Sequence, residues 1–242
     1  MSSVYAGFGA VKLDANRQAG AMMGFVLYDY WRSSAAYRVR IALNLKELIY
    51  ESRPVHLVRD GGEQHGAEYQ AINPQRLVPS LLDGERVITQ SLAIMEYLDE
   101  THPETPLLPA DARGRARVRA LAMTVASDAH PIGNLRVLQY LQSQLNVDEL
   151  QRAEWSRYWI GISFNALEAM LSQNAATGRF CHGEVPGMAD ACLVPQFYNA
   201  LRWKLSLDKY PTVKRIYHEC MTLEAFQRAA PEVQPDAPEA SS

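Results

Sequence analysis

The chain has 242 residues, of which 48% are hydrophobic, and its formal net charge is −3 at pH 7. This length and composition support one large domain or two small ones with a real hydrophobic core. The mild charge gives no electrostatic case for binding nucleic acid or an anionic membrane. Because no run of about 18 apolar residues occurs, the sequence also predicts no membrane span.

The cysteines and histidines argue against disulfide and metal chemistry. Cys181, Cys192 and Cys220 are odd in number and have no CxxC spacing. We therefore expect no disulfide framework, and a reducing compartment such as the cytoplasm fits best. The six histidines are scattered, without an HExxH pattern or a paired Cys/His run. The sequence thus predicts no metal site.

Regular patterning begins at Gly24, so residues 1–23 are predicted to be an N-terminal extension outside the fold. They lack the basic leader and the long apolar core of a secretory signal. We then predict, in chain order, a strand at 24–30, a helix from Ser33, a strand at 50–57, a hairpin of 80–82 and 86–89, and a helix at 91–100. This order indicates a small mixed sheet with helices.

The second half of the chain reads differently. Residues 101–110 include three prolines and no helical pattern, which predicts a linker. Beyond them, apolar residues recur at helical spacing. The segment 231–242 is rich in Pro, Ala, Glu and Ser, and we predict that it is disordered. The predicted domains are therefore 24–104 and an all-helical 109–230.

Two serines lie between the first predicted strand and the first predicted helix. In the run Trp31-Arg32-Ser33-Ser34, the hydroxyls fall at a helix N-terminus, which presents unpaired N–H groups and a positive partial charge. A thiolate bound there would be stabilised and would become a better nucleophile. The alternative is that both serines only cap the helix, and this segment alone does not decide between the two.

Two later segments have the same ambiguity. A cis peptide at Val78-Pro79 would turn the backbone of Val78 towards a ligand, whereas the ordinary alternative is an edge proline. Gln90 and Ser91 bring an amide and a hydroxyl to a second helix N-terminus, which could receive an amino-acid carboxylate. The alternative there is an N-cap serine.

Taken together, the runs RSSxxxRVRIALxLK, NPxxxVPxLxDG and QSLAIxEYL resemble the zeta class of the glutathione transferase family in order and spacing. The resemblance extends from Gly24 to Gln234. It implies an α/β plus all-α architecture, in which an N-terminal thioredoxin-like domain is followed by a C-terminal helical domain. It also implies a cytoplasmic homodimer with glutathione as its cofactor.

The resemblance implies roles for single residues. Glutathione would be bound by Ser33, Ser34, Gln64, Val78, Pro79, Gln90, Ser91, His130 and Asn134, and a small maleyl acid by Arg32, Arg136 and Arg202. Ser33, Ser34 and Arg32 would be catalytic. His130 and Asn134 are four residues apart, so they share a helix face if Pro131 begins that helix.

The implied activity is the cis–trans isomerisation of maleylacetoacetate to fumarylacetoacetate, by thiolate addition, rotation and elimination. Three alternatives remain: a maleylpyruvate isomerase, a conjugating or dehalogenating transferase that consumes glutathione, and a non-catalytic binding module. Retention of Ser33, Arg32 and Arg202 weighs against the last. The sequence departs from the family pattern at Ala35, usually Cys, and at Gly187, usually a Thr or Ser helix cap that precedes Asp190 by three residues.

Overall fold

The computed structural model describes residues 24–238, so the predicted extension at 1–23 and the last four residues lie outside the described residues. The first half comprises β1 (Phe25–Asp29), α1 (Ser34–Leu45), β2 (Tyr50–Pro54), 3₁₀ turns at Arg59–Gly61 and Glu63–His65, α2 (Ala67–Ile72), β3 (Ser80–Asp83), β4 (Arg86–Thr89) and α3 (Ser91–Thr101).

Within residues 24–238, these strands form one sheet of four in the order β2-β1-β3-β4. β1 and β2 are parallel, as expected when a helix makes the crossover between them. β3 pairs antiparallel with both β1 and β4. The β3–β4 turn contains Gly84 at φ 58°, a left-handed conformation that favours glycine. The sheet is thus the small mixed one that the sequence predicted.

The second half is helical. It comprises α4 (Ala112–Met123), a π-helical turn at Thr124–Ala129, α5 (His130–Ile132), α6 (Leu135–Leu145), α7 (Glu149–Ser172), α8 (Met188–Arg202), α9 (Pro211–Cys220), α10 (Glu224–Gln227) and a 3₁₀ turn at Pro231–Val233. Within 24–238, none of the helices combines the length and the apolar character needed to cross a bilayer.

Helix α1 joins the two halves. It packs against α3 on one side and α8 on the other, and Val39, Ile41 and Leu43 are fully buried between them. One hydrophobic cluster runs from Leu27 in the sheet through α1 to Phe197 in α8. Because the halves share this core, the cleft between them has fixed walls.

The start of α8 depends on one carboxylate. Asp190 accepts hydrogen bonds from the N–H groups of Gly187, at 2.9 Å, and Cys181, at 2.8 Å. Gly187 is the N-cap residue and has no side chain to do this itself. Asp190 thus has a structural role at this helix start.

The expected shared helix face for His130 and Asn134 is wrong. His130 begins the three-residue α5, and Asn134 is the N-cap of α6, where its Oδ1 accepts the N–H of Arg136 at 3.2 Å. The reason is local: Gly133 ends the first helix, and asparagine is a strong cap for the next. The two side chains therefore belong to different helices.

The chain end also differs from expectation, because residues 231–238 are packed on the fold. Pro231 is buried, and the side chain of Gln234 donates hydrogen bonds to the carbonyls of Arg228 and Ala230. The Asp236 carboxylate accepts the N–H of Trp31 at 3.0 Å. These contacts, of which the one to Trp31 is long-range, hold a segment whose composition alone predicts disorder.

Candidate active site

A cleft lies between the sheet domain and the helices. It has two adjoining lobes, a larger one of about 240 Å³ and a smaller one of about 180 Å³. The lobes share a wall formed by Val78, His130, Asn134 and Arg136. The cleft is lined by every residue that the sequence assigned to the site: Arg32, Ser33, Ser34, Gln64, Val78, Pro79, Gln90, Ser91, His130, Asn134, Arg136 and Arg202. The structure therefore brings all of them together, and their individual roles remain predictions.

The two serines lie at the N-terminus of α1, in the larger lobe. Ser33 is the N-cap residue, and its Oγ accepts the N–H of Ala36 at 3.2 Å. A hydroxyl has one proton to donate besides its acceptor positions, so capping leaves Ser33 able to donate to a sulfur. Ser34 Oγ accepts a hydrogen bond from Asn199 Nδ2 at 2.7 Å. The two functions weighed from the sequence are thus compatible.

Gln64 offers a polar group that lacks an internal partner. Its side chain is buried and donates to the Leu57 carbonyl at 3.2 Å, while its Oε1 has no hydrogen-bond partner among the described residues. A Cβ at Gly62 would come within 2.4 Å of this amide, and φ at Gly62 is 103°. The loop is therefore shaped around Gln64. A buried acceptor without a partner is costly, so it fits an N–H donor on a bound peptide.

The peptide bond between Val78 and Pro79 is cis, which is one of the two alternatives that the sequence left open. Val78 lies on the wall shared by both lobes, and Pro79 lines the smaller one. The edge-proline alternative alone does not account for this position at the centre of the cleft.

The N-terminus of α3 opens into the smaller lobe. Gln90 precedes it at φ 70°, a strained conformation for a residue with a side chain, and makes no side-chain cap to the helix. Its Nε2 donates to Gln75 Oε1 at 2.8 Å instead. Ser91 follows and is buried. The first N–H groups of the helix therefore remain available to an anionic ligand.

Arginines give the cleft its positive charge, and three of them are those that the sequence assigned to the maleyl acid. Arg32 and Arg202 lie in the larger lobe, and Arg136 lies on the wall shared by both lobes. Desolvation and the like charge of Arg32 lower the pKa of Arg202. Within residues 24–238, no carboxylate lies within 4.0 Å of any of the three guanidinium groups. These cations are therefore available to a carboxylate ligand.

The Arg32 and Arg202 side chains rest on neighbouring indole rings. The Arg32 guanidinium lies 5.3 Å from the ring of Trp31, and that of Arg202 lies 4.6 Å from the ring of Trp203. Such stacking orients a planar guanidinium while its N–H groups remain available.

His130 also faces both lobes. Burial and the nearby charge of Arg38 lower the pKa of its imidazole to about 3. The ring is therefore neutral at physiological pH and provides one donor and one acceptor. In the described part of the chain, no group of three or more potential metal-ligating side chains comes together.

Sequence reasoning missed Asn199, which binds the hydroxyl of Ser34, and Arg38, which binds that of Ser91. Asn199 occurs in an otherwise ordinary helix, and nothing in its spacing singles it out. Arg38 could have been noticed, because it is a charged residue that directly precedes the apolar Val39 in the predicted helix from Ser33.

Comparison with known proteins agrees with this geometry. The family model described as glutathione S-transferase, N-terminal domain, matches residues 27–106. Over 216 residues the chain is 53% identical to a probable maleylacetoacetate isomerase from Vibrio cholerae serotype O1, and the match covers 89% of this chain and 100% of that protein.

Two solved structures are similar along nearly their whole length. One is the holo structure of a maleyl pyruvate isomerase described as a bacterial glutathione S-transferase in the zeta class; it has a TM-score of 0.86 and 46% identity, and the match covers 88% of this chain and 100% of that chain. The other is a maleylacetoacetate isomerase from Methylobacterium extorquens AM1 with bound malonate and GSH; it has a TM-score of 0.85 and 44% identity, and the match covers 88% and 99%.

Proposed function

Because the chain belongs to the zeta class of the glutathione transferase family, we propose that it is a glutathione-dependent cis–trans isomerase that converts maleylacetoacetate to fumarylacetoacetate. The observation that carries the proposal is a single cleft with Ser33 at a helix N-terminus and Arg32 and Arg202 beside it. A thiol activator and a carboxylate clamp thus face the same space. A relative 53% identical over its whole length is named a probable maleylacetoacetate isomerase.

The cofactor would lie along the residues of the sheet domain. Its thiol would be at Ser33 and its γ-glutamyl end at Gln90 and Ser91. The backbone of Val78 would pair with the backbone of the tripeptide, and the buried amide of Gln64 would reach the glycyl end. Residues 24–104 would then bind glutathione, and residues 109–230 would complete the substrate site.

When bound, glutathione supplies a thiolate that adds reversibly to the cis double bond, so that rotation can occur before the thiolate leaves. The Ser33 hydroxyl and the N-terminus of α1 lower the pKa of the thiol. A drop from about 8.5 by about two units raises the ionised fraction at pH 7 about 25-fold, or about 2 kcal/mol. Because typical enzymes supply at least about 8 kcal/mol, Arg32 and Arg202 must orient the acid and stabilise its developing negative charge.

Maleylpyruvate is the second candidate substrate. A solved maleyl pyruvate isomerase superposes on the chain with a TM-score of 0.86. The two substrates share the maleyl head that the arginines would hold, and they differ in the tail. We further propose that the protein works as a cytoplasmic homodimer, which sedimentation or light scattering of the purified protein tests directly.

The stoichiometry of glutathione tests the reaction class. Incubation of maleylacetoacetate, or of maleylpyruvate, with catalytic glutathione should yield the trans isomer by NMR, with the free thiol unchanged at the end. Consumption of one glutathione per turnover would instead identify a conjugating transferase. The ratio of kcat/KM for the two acids then names the preferred substrate.

Replacing Arg202 tests the carboxylate clamp. Arg202→Met keeps the packing of the side-chain stem on Trp203 and removes the charge. We expect kcat/KM for the maleyl acid to fall about 10- to 150-fold, the value of one charge-assisted hydrogen bond. Glutathione affinity, measured by calorimetry on the same protein, should hardly change. If both quantities fall together, Arg202 belongs to the glutathione site or to folding.

A further inference from the structure

Arg38 is a buried cation without a counter-charge. It lies on α1, only 1% of its surface is exposed, and it lines the smaller lobe. Its Nη1 donates to Ser91 Oγ at 3.2 Å, whereas its Nε and Nη2 are buried without a hydrogen-bond partner. Within residues 24–238, no carboxylate lies within 4.0 Å of this guanidinium.

The neighbours of Arg38 do not supply a negative charge. Burial raises the pKa of the Cys192 thiol to about 11, so Cys192 is neutral beside it. His130 is neutral as well, because burial and Arg38 lower its pKa. Burial lowers the pKa of Arg38, but a guanidinium titrates so far above neutral pH that it keeps its proton, so the charge persists. A buried ion left in this state destabilises the protein, and a ligand with the opposite charge can offset this cost.

Arg40 shows how the same helix treats a buried arginine that serves the fold. It lies two residues further along α1 and is also fully buried. Its Nη1 contacts both carboxylate oxygens of Asp29 at 2.8 Å, and its remaining donors bind the carbonyls of Ala229 and Trp31. All three nitrogen atoms of the Arg40 guanidinium thus have hydrogen-bond partners. The contrast indicates that residues 24–238 do not supply the partner of Arg38.

The structure around Arg38 points to a carboxylate as that partner. Ser91, its hydrogen-bond acceptor, is the first residue of the 11-residue helix α3, whose leading N–H groups are not capped by a side chain. The hydroxyl accepts from Arg38, so its own proton is directed elsewhere and is available to an anion in the smaller lobe. Helix terminus, hydroxyl and guanidinium therefore all favour negative charge at one point.

We propose that Arg38 is a positioning residue, which holds the Ser91 hydroxyl and supplies the counter-charge for the α-carboxylate of the γ-glutamyl group. This inference rests on the proposed function, since glutathione is the ligand that brings that carboxylate. Arg38 acts through Ser91 and through its field, and it does not touch the reacting double bond. The apo protein carries the unpaired charge, and glutathione binding neutralises it.

The test compares two ligands on two variants. Glutathione and 4-aminobutyryl-cysteinyl-glycine, which lacks only the α-carboxylate, are titrated by calorimetry into the wild type, Arg38→Met and Arg38→Lys. We expect Arg38→Met to weaken glutathione binding about 10- to 150-fold and to change the affinity of the decarboxylated peptide less than about twofold. Arg38→Lys keeps the charge, so its glutathione affinity should lie between those of the wild type and Arg38→Met. An equal loss for both peptides, or no loss for glutathione, overturns the proposal.

Stability provides the control for folding. Thermal unfolding without ligand should show Arg38→Met to be as stable as the wild type or more stable, because an uncompensated buried charge has been removed. Arg40→Met leaves the buried Asp29 carboxylate without its counter-charge, so this variant should be clearly destabilised. If Arg38→Met is instead destabilised as strongly as Arg40→Met, Arg38 is structural and the proposal is wrong.

A double mutant tests the route through the hydroxyl. If Arg38 acts through Ser91, the losses of glutathione affinity in Arg38→Met and Ser91→Ala should be clearly non-additive in the double variant. Additive losses contradict the route. Failure of the wild type to bind glutathione would overturn the proposed function, whereas binding that survives Arg38→Met overturns only this inference.

Discussion

At the scale of single residues, Ser33 performs a structural task that does not exclude a chemical one. Its oxygen accepts the N–H of Ala36 and begins α1, and its proton remains for the thiol. The sequence motif located the residue but could not separate the two functions, because both require a hydroxyl at a helix N-terminus. Only a measurement that separates folding from chemistry distinguishes them.

Ser33→Ala should lower turnover more than glutathione binding. Loss of the cap should cost about 0.5–2 kcal/mol of stability. Loss of the donor should lower kcat at pH 7 by up to about 25-fold, because the bound thiol then titrates nearer its ordinary pKa of about 8.5. The pH–rate profile should shift to alkaline pH. Ser33→Thr keeps both hydrogen bonds and is the matched control. An unchanged kcat in Ser33→Ala would remove Ser33 from the mechanism.

Other residues of the site could not be found from local sequence. Asn199 contacts Ser34 across 165 positions, and Arg38 contacts Ser91 across 53. Such pairs depend on how helices pack, which no short motif encodes. The residues of the three motifs were found because each motif lies at a turn with its own backbone chemistry.

At the scale of elements, the predictions held where the local signal was strong. The Asp83-Gly84 hairpin and the helix from Ser91 lie where the sequence placed them. The break at Gly133, between His130 and Asn134, was missed because a proline is typical of a helix start, whereas the helix that contains Pro131 lasts only three residues.

The start of α8 gives the element-scale prediction. Asp190→Ala removes the acceptor for the N–H of Cys181, which is buried, and for the N–H of Gly187, which is half-buried. Each unpaired buried donor costs about 1–3 kcal/mol, so we expect a loss of roughly 2–5 kcal/mol in the free energy of unfolding. Urea titration measures it. Asp208→Ala, an exposed aspartate, should change stability little. A loss below about 1 kcal/mol in Asp190→Ala would mean that the helix start tolerates open N–H groups.

At the scale of the whole molecule, the thioredoxin-like part followed by a helical part was correctly predicted, but the continuity between them was not. Pattern reading separated the halves at a proline-rich linker, yet α1 and α8 share one hydrophobic core. The cleft therefore lies between parts that pack as one body. Residues 231–238 also connect the two parts, because they contact both of them.

The last prediction concerns these contacts of residues 231–238. The Asp236 carboxylate accepts the N–H of Trp31, beside Arg32, and Glu232 accepts the hydroxyl proton of Tyr198 on α8 at 2.7 Å. A chain that ends at Ala230 loses both contacts and the burial of Pro231. We expect its Tm to fall by several degrees, since about 1 kcal/mol corresponds to roughly 2–4 °C at this size.

The same truncation should act on one side of the cleft. The guanidinium of Arg32 stacks on Trp31. Loss of the hydrogen bond between Trp31 and Asp236 should therefore raise KM for the maleyl acid several-fold. Glutathione affinity should change little, since no side-chain hydrogen bond joins residues 231–238 to Ser91, Val78 or Gln64. A chain that ends at Pro238 keeps the contacts and is the matched control. If both truncated chains match the full chain in Tm and KM, residues 231–238 do not support the site in solution.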